Sequence, residues 1–152
     1  MTRAILFDMD GVLVDSEHII NAAAIRALAE FGVQAKPEDF APFVGAGENR
    51  YVGGVAELYG KTFVPEMKHR TYEIYLELLP STGKAFVGAR ELVELLRQGG
   101  TLCAVASSAD RIKVEANLTT TVGVPLSLFG TIVTGEDVTR RKPFPDIFLE
   151  AA

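Results

Sequence analysis

Cysteine and long apolar runs are scarce in this chain, and both shortages restrict what it can be. One cysteine, Cys103, is present among 152 residues, so no disulfide forms within the chain. It stands in the apolar segment from Leu102 to Ala106, where we expect a small buried hydrophobic side chain. The apolar run near the N-terminus meets an acid after residue 7, which makes it too short for a signal peptide or a membrane span. We therefore expect a protein of a reducing compartment, the cytoplasm.

Basic charge is also scarce, and it is scattered. Lysine and arginine total 15 against 20 acidic residues, a net charge of -5, and residues 140–142 form the only run of three basic side chains. Without a basic stripe the chain cannot neutralise a phosphate backbone, which excludes nucleic acid as a partner. Apolar residues make up 48% and charged residues 23% of the chain, as in soluble globular proteins. The composition indicates a globular protein that binds neither nucleic acid nor a membrane.

What is present is a pair of acids directly after the short apolar run. Asp8 and Asp10 follow residues 4–7, which are typical of a buried strand, and Gly11 allows the chain to turn away. Alternation along an extended backbone places both carboxylates on one side. Two adjacent like charges require a metal ion, a cationic partner or a bound proton. The same pattern can also close a turn or cap a helix, so the pair alone leaves both alternatives open.

Apolar periodicity divides the rest of the chain into alternating helices and strands. It predicts helices over residues 17–31, 65–79, 89–98, 111–118 and 147–152, and further strands over residues 101–106 and 131–133. Ser16 is expected to cap the first helix and Gly32 to end it. Residues 44–54 are expected to form a glycine-rich loop and residues 80–84 a linker. The alternation predicts an α/β protein with a parallel sheet and a helical insertion over its carboxyl edge.

Polar residues collect where the predicted strands end. In chain order they are Asp8 and Asp10, Ser107 and Ser108, and Lys142. Open α/β sheets bind ligands at the carboxyl edge, so we expect these groups to converge. A carboxylate nucleophile, a second acid, a hydroxyl donor and a lysine suit phosphoryl transfer through an aspartyl-phosphate, helped by a divalent ion such as Mg²⁺. A serine pair can also cap a helix and a lysine can lie in an exposed loop, so it is the convergence that favours a site.

Three segments carry a family resemblance: DMDGVL at residues 8–13, VASS at 105–108 and KPFPDIF at 142–148. In this order they resemble motifs one, two and three of the haloacid dehalogenase-like hydrolase superfamily, in the style of its phosphoglycolate phosphatase and β-phosphoglucomutase subgroup. The resemblance implies a Rossmann-like core with an inserted helical cap. The core is expected over residues 1–14 and 85–152, and the cap over residues 15–84.

The resemblance also implies roles for individual residues. Asp8 would be the nucleophile and a metal ligand. Asp10 would protonate the leaving oxygen and then deprotonate the attacking water, while its main-chain carbonyl would ligate Mg²⁺. Ser107 would hold the phosphoryl oxygens, and Lys142 would neutralise the nucleophile and the phosphate. Because expelling an alkoxide needs a proton and expelling a halide does not, Asp10 favours phosphate ester hydrolysis over dehalogenation.

Substrate binding is expected from Ser108 and from two residues of the glycine-rich segment, Gly47 and Arg50. The implied substrate is a small phosphorylated metabolite. A sugar-phosphate mutase is an alternative, but the mutases carry a histidine near the position of Ile20 and an arginine where this chain has Glu48. Both departures favour a phosphatase.

The end of the chain departs from the family pattern. The family's fourth motif, an acidic strand end that supplies another metal ligand, does not follow Lys142 in this sequence. We therefore expect the C-terminal strands of the core to be missing. The strand that holds Ile5 and Phe7 would then have an unpaired, exposed edge.

A second resemblance leaves a different class of function open. The chain is similar to the hydrolase-like domain of a multidomain plastid protein involved in suppressing photoprotective quenching. A non-catalytic regulatory module, with a plastid location, is therefore an alternative to an enzyme. A phospho-accepting receiver domain is disfavoured because it has no room for so long an insertion between its first two strands.

Overall fold

The computed structural model describes residues 4–152. Its strands are β1 (Ala4–Phe7), β2 (Val14–Asp15), β3 (Lys84–Ala85), β4 (Leu102–Ala106) and β5 (Thr131–Val133). Its α-helices are α1 (Glu17–Glu30), α2 (Glu48–Leu58), α3 (Pro65–Thr82), α4 (Ala89–Gln98), α5 (Arg111–Ala116) and α6 (Asp146–Ala151). Short 3₁₀ segments span Pro37–Phe43 and Leu126–Leu128, and a π-helical turn, Asn117–Val122, continues α5. Among these residues no helix combines the length and the apolar character needed to cross a bilayer.

Three strands form a parallel sheet in the order β1–β4–β5. Ala4 pairs with Leu102, and Ala104 pairs with Thr131 on the other side of β4. The chain is therefore an α/β protein with a Rossmann-like sheet, which confirms the predicted fold class. Of the two residues expected on an exposed edge, Ile5 is 36% exposed, whereas Phe7 is buried in the core under the sheet. The parallel arrangement brings the carboxyl ends of all three strands to one edge.

Residues 16–83, between β2 and β3, form a separate helical layer that we call the helical insert. Its helices enclose an apolar core of their own, in which Phe40 and Tyr75 are among the largest fully buried side chains. A second apolar cluster, which includes Met9 and Val105, lies under the sheet. β2 and β3 pair antiparallel, so the chain leaves the sheet layer and returns to it at one point.

The predicted glycine-rich loop over residues 44–54 is wrong for most of its length, because α2 begins at Glu48. Gly53 and Gly54 are buried within this helix. A Cβ atom at Gly54 would overlap the ring of Phe43, and one at Gly53 would lie 3.1 Å from the ring of Phe63. Here glycine allows close packing against two aromatic rings, an effect of tertiary structure that outweighs its low helix propensity.

The predicted linker over residues 80–84 is also wrong, because α3 continues through Pro80 to Thr82. The hydroxyls of Ser81 and Thr82 both donate to the carbonyl of Leu78, and Leu79 is buried in the insert core. These contacts hold the last turn although proline lacks the amide hydrogen of a regular helix. The other predicted elements are confirmed to within one or two residues, and Gly32 follows α1 with a φ of 77°.

Candidate active site

A cavity of about 340 Å³ lies between the carboxyl edge of the sheet and the helical insert. Six of the seven predicted site residues line it: Asp8, Asp10, Gly47, Ser107, Ser108 and Lys142. They come from the loops after β1, β4 and β5 and from the start of α2. The structure therefore brings together residues that are up to 134 positions apart in the chain.

Asp8 follows β1 and is paired with a lysine. The Lys142 Nζ atom lies 2.7 Å from Asp8 Oδ2 and 3.3 Å from the carbonyl oxygen of Ala106. Oδ1 of Asp8 accepts a hydrogen bond from the Met9 amide at 2.8 Å. The Lys142 ammonium also lies 5.0 Å from the ring centre of Phe148. Asp8 is 39% exposed at its side chain, so its carboxylate is oriented by these contacts and still open to the cavity.

Asp10 is held by two partners that the sequence did not predict. The hydroxyl of Ser16 donates to Asp10 Oδ1. The Lys113 Nζ atom lies 3.1 Å from Oδ1 and 3.2 Å from Oδ2 of the same carboxylate. Ser16 stands at the N-cap position of α1 but makes no side-chain capping bond. The prediction that it caps this helix is wrong, because its hydroxyl points to the site.

Lys113 comes from α5 and is almost fully buried. Burial lowers the pKa of its ammonium, but attraction to the Asp10 and Glu48 carboxylates raises it more, and the net pKa is above the ordinary value. Lys113 therefore stays charged. One turn further on, Asn117 is also buried and donates to the hydroxyl of Tyr75 at 2.7 Å. Arg111 and Glu115 on the same helix are charged as well, so the local sequence carried no signal that singles out Lys113.

Glu48, the first residue of α2, forms part of the opposite wall. Its Oε1 atom lies 3.8 Å from Lys113 Nζ, while Oε2 is buried and has no hydrogen-bond partner within residues 4–152. Burial, with contributions from the Asp110 and Asp10 carboxylates, raises the pKa of Glu48 to about 7, although Lys113 opposes the shift. The sequence indicated only that Glu48 stands where an arginine is expected in the mutases.

The two serines after β4 have different surroundings. The Ser107 amide donates to the Val133 carbonyl at 3.0 Å, and its hydroxyl accepts from the Ala109 amide at 3.2 Å. This turn fixes the loop between β4 and α5. The Ser108 hydroxyl is buried and unpartnered in the part of the chain that the structure describes.

The insert contributes Gly47 to the cavity wall but not Arg50. Gly47 has a φ of 84°, and a Cβ atom there would overlap the guanidinium of Arg141. Arg50 lies outside the wall, with its guanidinium 2.6 Å from Glu57 and over the ring of Phe43. Because this segment is a helix, residues 48 and 50 are separated by about 200° around its axis, and only Glu48 faces the cavity.

A family model described as "Haloacid dehalogenase-like hydrolase" matches residues 5–152. The chain belongs to this family. The match extends over nearly all of the described residues, including both the sheet and the helical insert.

Individual members of the family are similar over most of this chain. A segment of Protein SUPPRESSOR OF QUENCHING 1, chloroplastic, from Arabidopsis thaliana is 48% identical over 98% of the chain. Validoxylamine A 7'-phosphate phosphatase from Streptomyces hygroscopicus subsp. limoneus is 31% identical over 96%. The crystal structure of CbbY from Rhodobacter sphaeroides in complex with phosphate superposes with a TM-score of 0.85 at 25% identity over 99%. The chain spans 14% of the Arabidopsis protein, 68% of the Streptomyces phosphatase and 71% of the CbbY chain.

Proposed function

We propose that this hydrolase-family chain catalyses Mg²⁺-dependent hydrolysis of a small phosphate monoester through an aspartyl-phosphate. The observation that carries the proposal is the arrangement of two carboxylates at one cavity. Asp8 is oriented by Lys142 at 2.7 Å, and Asp10 is oriented by Lys113 at 3.1 Å. This arrangement supports the proposal that Asp8 is the nucleophile and Asp10 the proton donor and acceptor.

The proposed division of the chain follows its apolar clusters, one in the insert and two on the sheet. Residues 1–14 and 85–152 would form the catalytic core, and residues 15–84 the cap. The separate apolar clusters of the insert and of the sheet layer support this division. So does the single crossing point at β2 and β3, where residues 14 and 85 pair.

In the first step, a carboxylate oxygen of Asp8 attacks phosphorus, and the bond from phosphorus to the leaving oxygen breaks. Asp10 donates its proton to that oxygen, so the alcohol leaves neutral. In the second step Asp10 takes a proton from a water molecule, whose oxygen attacks phosphorus and releases inorganic phosphate and Asp8. The Ser16 hydroxyl and Lys113 keep the Asp10 carboxyl group in the same place for both transfers.

The remaining cavity residues would stabilise the charge on the phosphoryl group. Lys142 offsets negative charge on Asp8 and on the phosphoryl oxygens. Ser107 and Ser108 lie at the end of β4, and the Ser108 hydroxyl, which has no partner within residues 4–152, is available as a donor. These contacts matter most when charge spreads over the phosphoryl oxygens during transfer.

The donor atoms at this edge fit a magnesium ion. They are oxygens, the hard ligands that Mg²⁺ prefers, and Mg²⁺ is commonly held by one or two carboxylates together with waters and substrate phosphate. The Asp8 carboxylate and the Asp10 main-chain carbonyl would hold it. Its positive charge would reduce the repulsion between the anionic phosphate and Asp8.

Two further observations favour a phosphatase over a mutase. Ile20, which occupies the position where the mutases carry histidine, lines the cavity as an apolar side chain. Arg50 is paired with Glu57 outside it. The name of the similar Streptomyces protein, a phosphatase of a phosphorylated metabolite, agrees with this choice.

The first test is turnover of an aryl phosphate with Mg²⁺ by the wild-type protein and by Asp8→Asn. We expect hydrolysis by the wild type and a loss of at least about 10³-fold in kcat/KM in the variant, because the nucleophile is gone. Glu77→Gln, an exposed acid on α3 changed to its amide, is the matched control and should retain activity.

The same experiment tests the alternative of a non-catalytic module. That alternative rests on the 48% identity to a segment of the Arabidopsis protein, of which this chain spans 14%, and a plastid location would accompany it. Absence of turnover by a wild-type protein that is folded, as judged by circular dichroism, would contradict the enzyme and favour the module. An enzyme of the proposed kind is expected in the cytoplasm.

A further inference from the structure

The two sides of the cavity carry different charge. On the sheet side, Asp8 and Asp10 are balanced by Lys142 and Lys113. The insert side and the adjoining β2 contribute three carboxylates to the wall: Asp15, Glu17 and Glu48. Among the described residues that line this side, none is lysine, arginine or histidine. The lining of the cavity away from the phosphate-binding residues is therefore acidic, and the Arg141 guanidinium that packs behind Gly47 is paired with Asp110 at 3.7 Å.

Both lysines that line the cavity are already paired with carboxylates, so neither is free to bind a second anion. Lys142 Nζ lies 2.7 Å from Asp8, and Lys113 Nζ lies 3.1 Å from Asp10 and 3.8 Å from Glu48. Binding another phosphate or carboxylate would require one of these pairs to break or would place two anions side by side. Either event costs free energy in a partly buried site.

Glu48 also presents an unused hydrogen-bond acceptor. Its Oε2 atom is buried and unpartnered within residues 4–152, although buried polar atoms are normally satisfied. Burial and the neighbouring Asp10 and Asp15 carboxylates raise the pKa of Glu17, although Lys113 opposes the shift, and this agrees with a negative potential on the same side. Such a wall suits a ligand that brings hydrogen-bond donors and no negative charge.

From this asymmetry we infer the class of leaving group, an inference that rests on the proposed function. The substrate is a phosphate monoester whose leaving group carries hydroxyl or ammonium donors and no second phosphate or carboxylate. Glu48 is the specificity-determining residue of the insert. The phosphate binds at the sheet edge, and the donors of the leaving group face Glu48.

Three phosphates that share a six-carbon skeleton test this inference: glucose 6-phosphate, glucosamine 6-phosphate and 6-phosphogluconate. The leaving group is neutral in the first, cationic in the second and anionic in the third. For the wild-type protein with Mg²⁺ above pH 7, where Glu48 is mostly ionised, we expect kcat/KM for the first two to exceed that for 6-phosphogluconate at least about tenfold, because like charges repel. Equal or faster turnover of 6-phosphogluconate would overturn the inference.

Variants at Glu48 separate charge from shape. Glu48→Gln keeps the size of the side chain and removes the charge, so the discrimination against 6-phosphogluconate should fall at least about threefold. Glu48→Lys should reverse the order of the neutral and anionic substrates. If Glu48→Lys does not fold, Glu17→Gln supplies a second change of charge on the same wall, with the same direction expected. Glu77→Gln should leave the ratio unchanged, and an unchanged ratio in Glu48→Gln as well would contradict the role of Glu48.

Calorimetric binding to Asp8→Asn keeps this inference distinct from the proposed function. If the wild type hydrolyses none of the substrates or the aryl phosphate, the proposed function fails, and the order of affinities still decides the inference. Weaker binding of 6-phosphogluconate than of the other two supports it. Tighter binding of 6-phosphogluconate, or no binding of any of the three, overturns it.

Discussion

Acidic side chains have different partners at the sheet edge and on the helical insert. At the sheet edge each carboxylate has a lysine within hydrogen-bonding distance, Asp8 with Lys142 and Asp10 with Lys113. On the insert, Glu48 is more deeply buried than either aspartate, yet one of its oxygens has no partner among the described residues. This difference in pairing agrees with different roles for the two regions in the proposed function. In the proposed function, Asp8 and Asp10 are held in position for chemistry, whereas Glu48 keeps one oxygen available to a ligand.

The largest of the effects expected here comes from changing Asp10, the proposed proton donor at the sheet edge. Asp10→Asn should lower kcat by about 10²- to 10⁴-fold, because general acid–base catalysis contributes that much. Binding of inorganic phosphate should persist, since Asp8, Ser107 and Lys142 remain. The measurements are steady-state kinetics with an aryl phosphate and inhibition by phosphate. Unchanged turnover would contradict the acid–base role of Asp10.

Lys113 contacts acids of both regions, and its removal should lower the stability of the fold. Lys113→Met leaves Asp10 and Glu48 without their buried cation and should lower the free energy of unfolding by about 3 kcal/mol. Urea denaturation measures this change. Adding Glu48→Gln to Lys113→Met should restore part of the loss, because the second change removes a buried charge that has lost its partner. Strict additivity of the two changes would argue against a shared charge cluster.

The raised pKa of Glu48 predicts how the insert responds to pH. The folded state binds the proton of Glu48 up to a pKa of about 7, whereas the unfolded state releases it near the ordinary glutamate pKa of 4.5. Between these values the folded state holds more protons, so the free energy of unfolding falls as pH rises, and the full penalty is present above pH 7. The shift corresponds to roughly 3 kcal/mol at most, and the lost attraction to Lys113 reduces the net gain on substitution.

Glu48→Gln should therefore be more stable than the wild type near pH 8 and show no such advantage near pH 4. Denaturation curves at both pH values check this, with Glu77→Gln as the control for loss of one acidic charge. A constant difference between Glu48→Gln and the wild type across this range would show that Glu48 titrates normally.

The smallest effect is expected at Arg50, on the outer face of α2. Arg50→Ala should change kcat/KM by no more than about twofold, because a surface substitution away from the site typically alters free energy by less than 0.5 kcal/mol. Steady-state kinetics with the aryl phosphate provides the measurement. A tenfold loss of kcat/KM would instead support the sequence-based prediction that Arg50 binds substrate.

Most of the polar residues at the carboxyl edge of the sheet could be predicted from the sequence, because they follow the strands. A short apolar run followed by a polar residue marks the end of a buried strand, and parallel strands end at the same edge. Asp8, Ser107 and Lys142 were predicted to converge on this basis, and they line one cavity. The partners from helices were missed. Lys113 lies on α5, and nothing in its local sequence tells which carboxylate its helix will face.

Sequence patterns alone predicted the three strands of the parallel sheet and five of the six α-helices, the acids at the end of β1 and the resemblance to the hydrolase family. Each of these depends on local patterns with a period of two or 3.6 residues. The helix over residues 48–58 depends on tertiary packing, since close contact of Gly53 and Gly54 with aromatic rings favours it over a loop. That helix turns Glu48 toward the cavity and Arg50 away from it, because residues two positions apart point about 200° apart around a helix axis. The charge on the insert side of the cavity depends on packing between segments that are distant in the sequence, and a local sequence pattern carries no information about such packing.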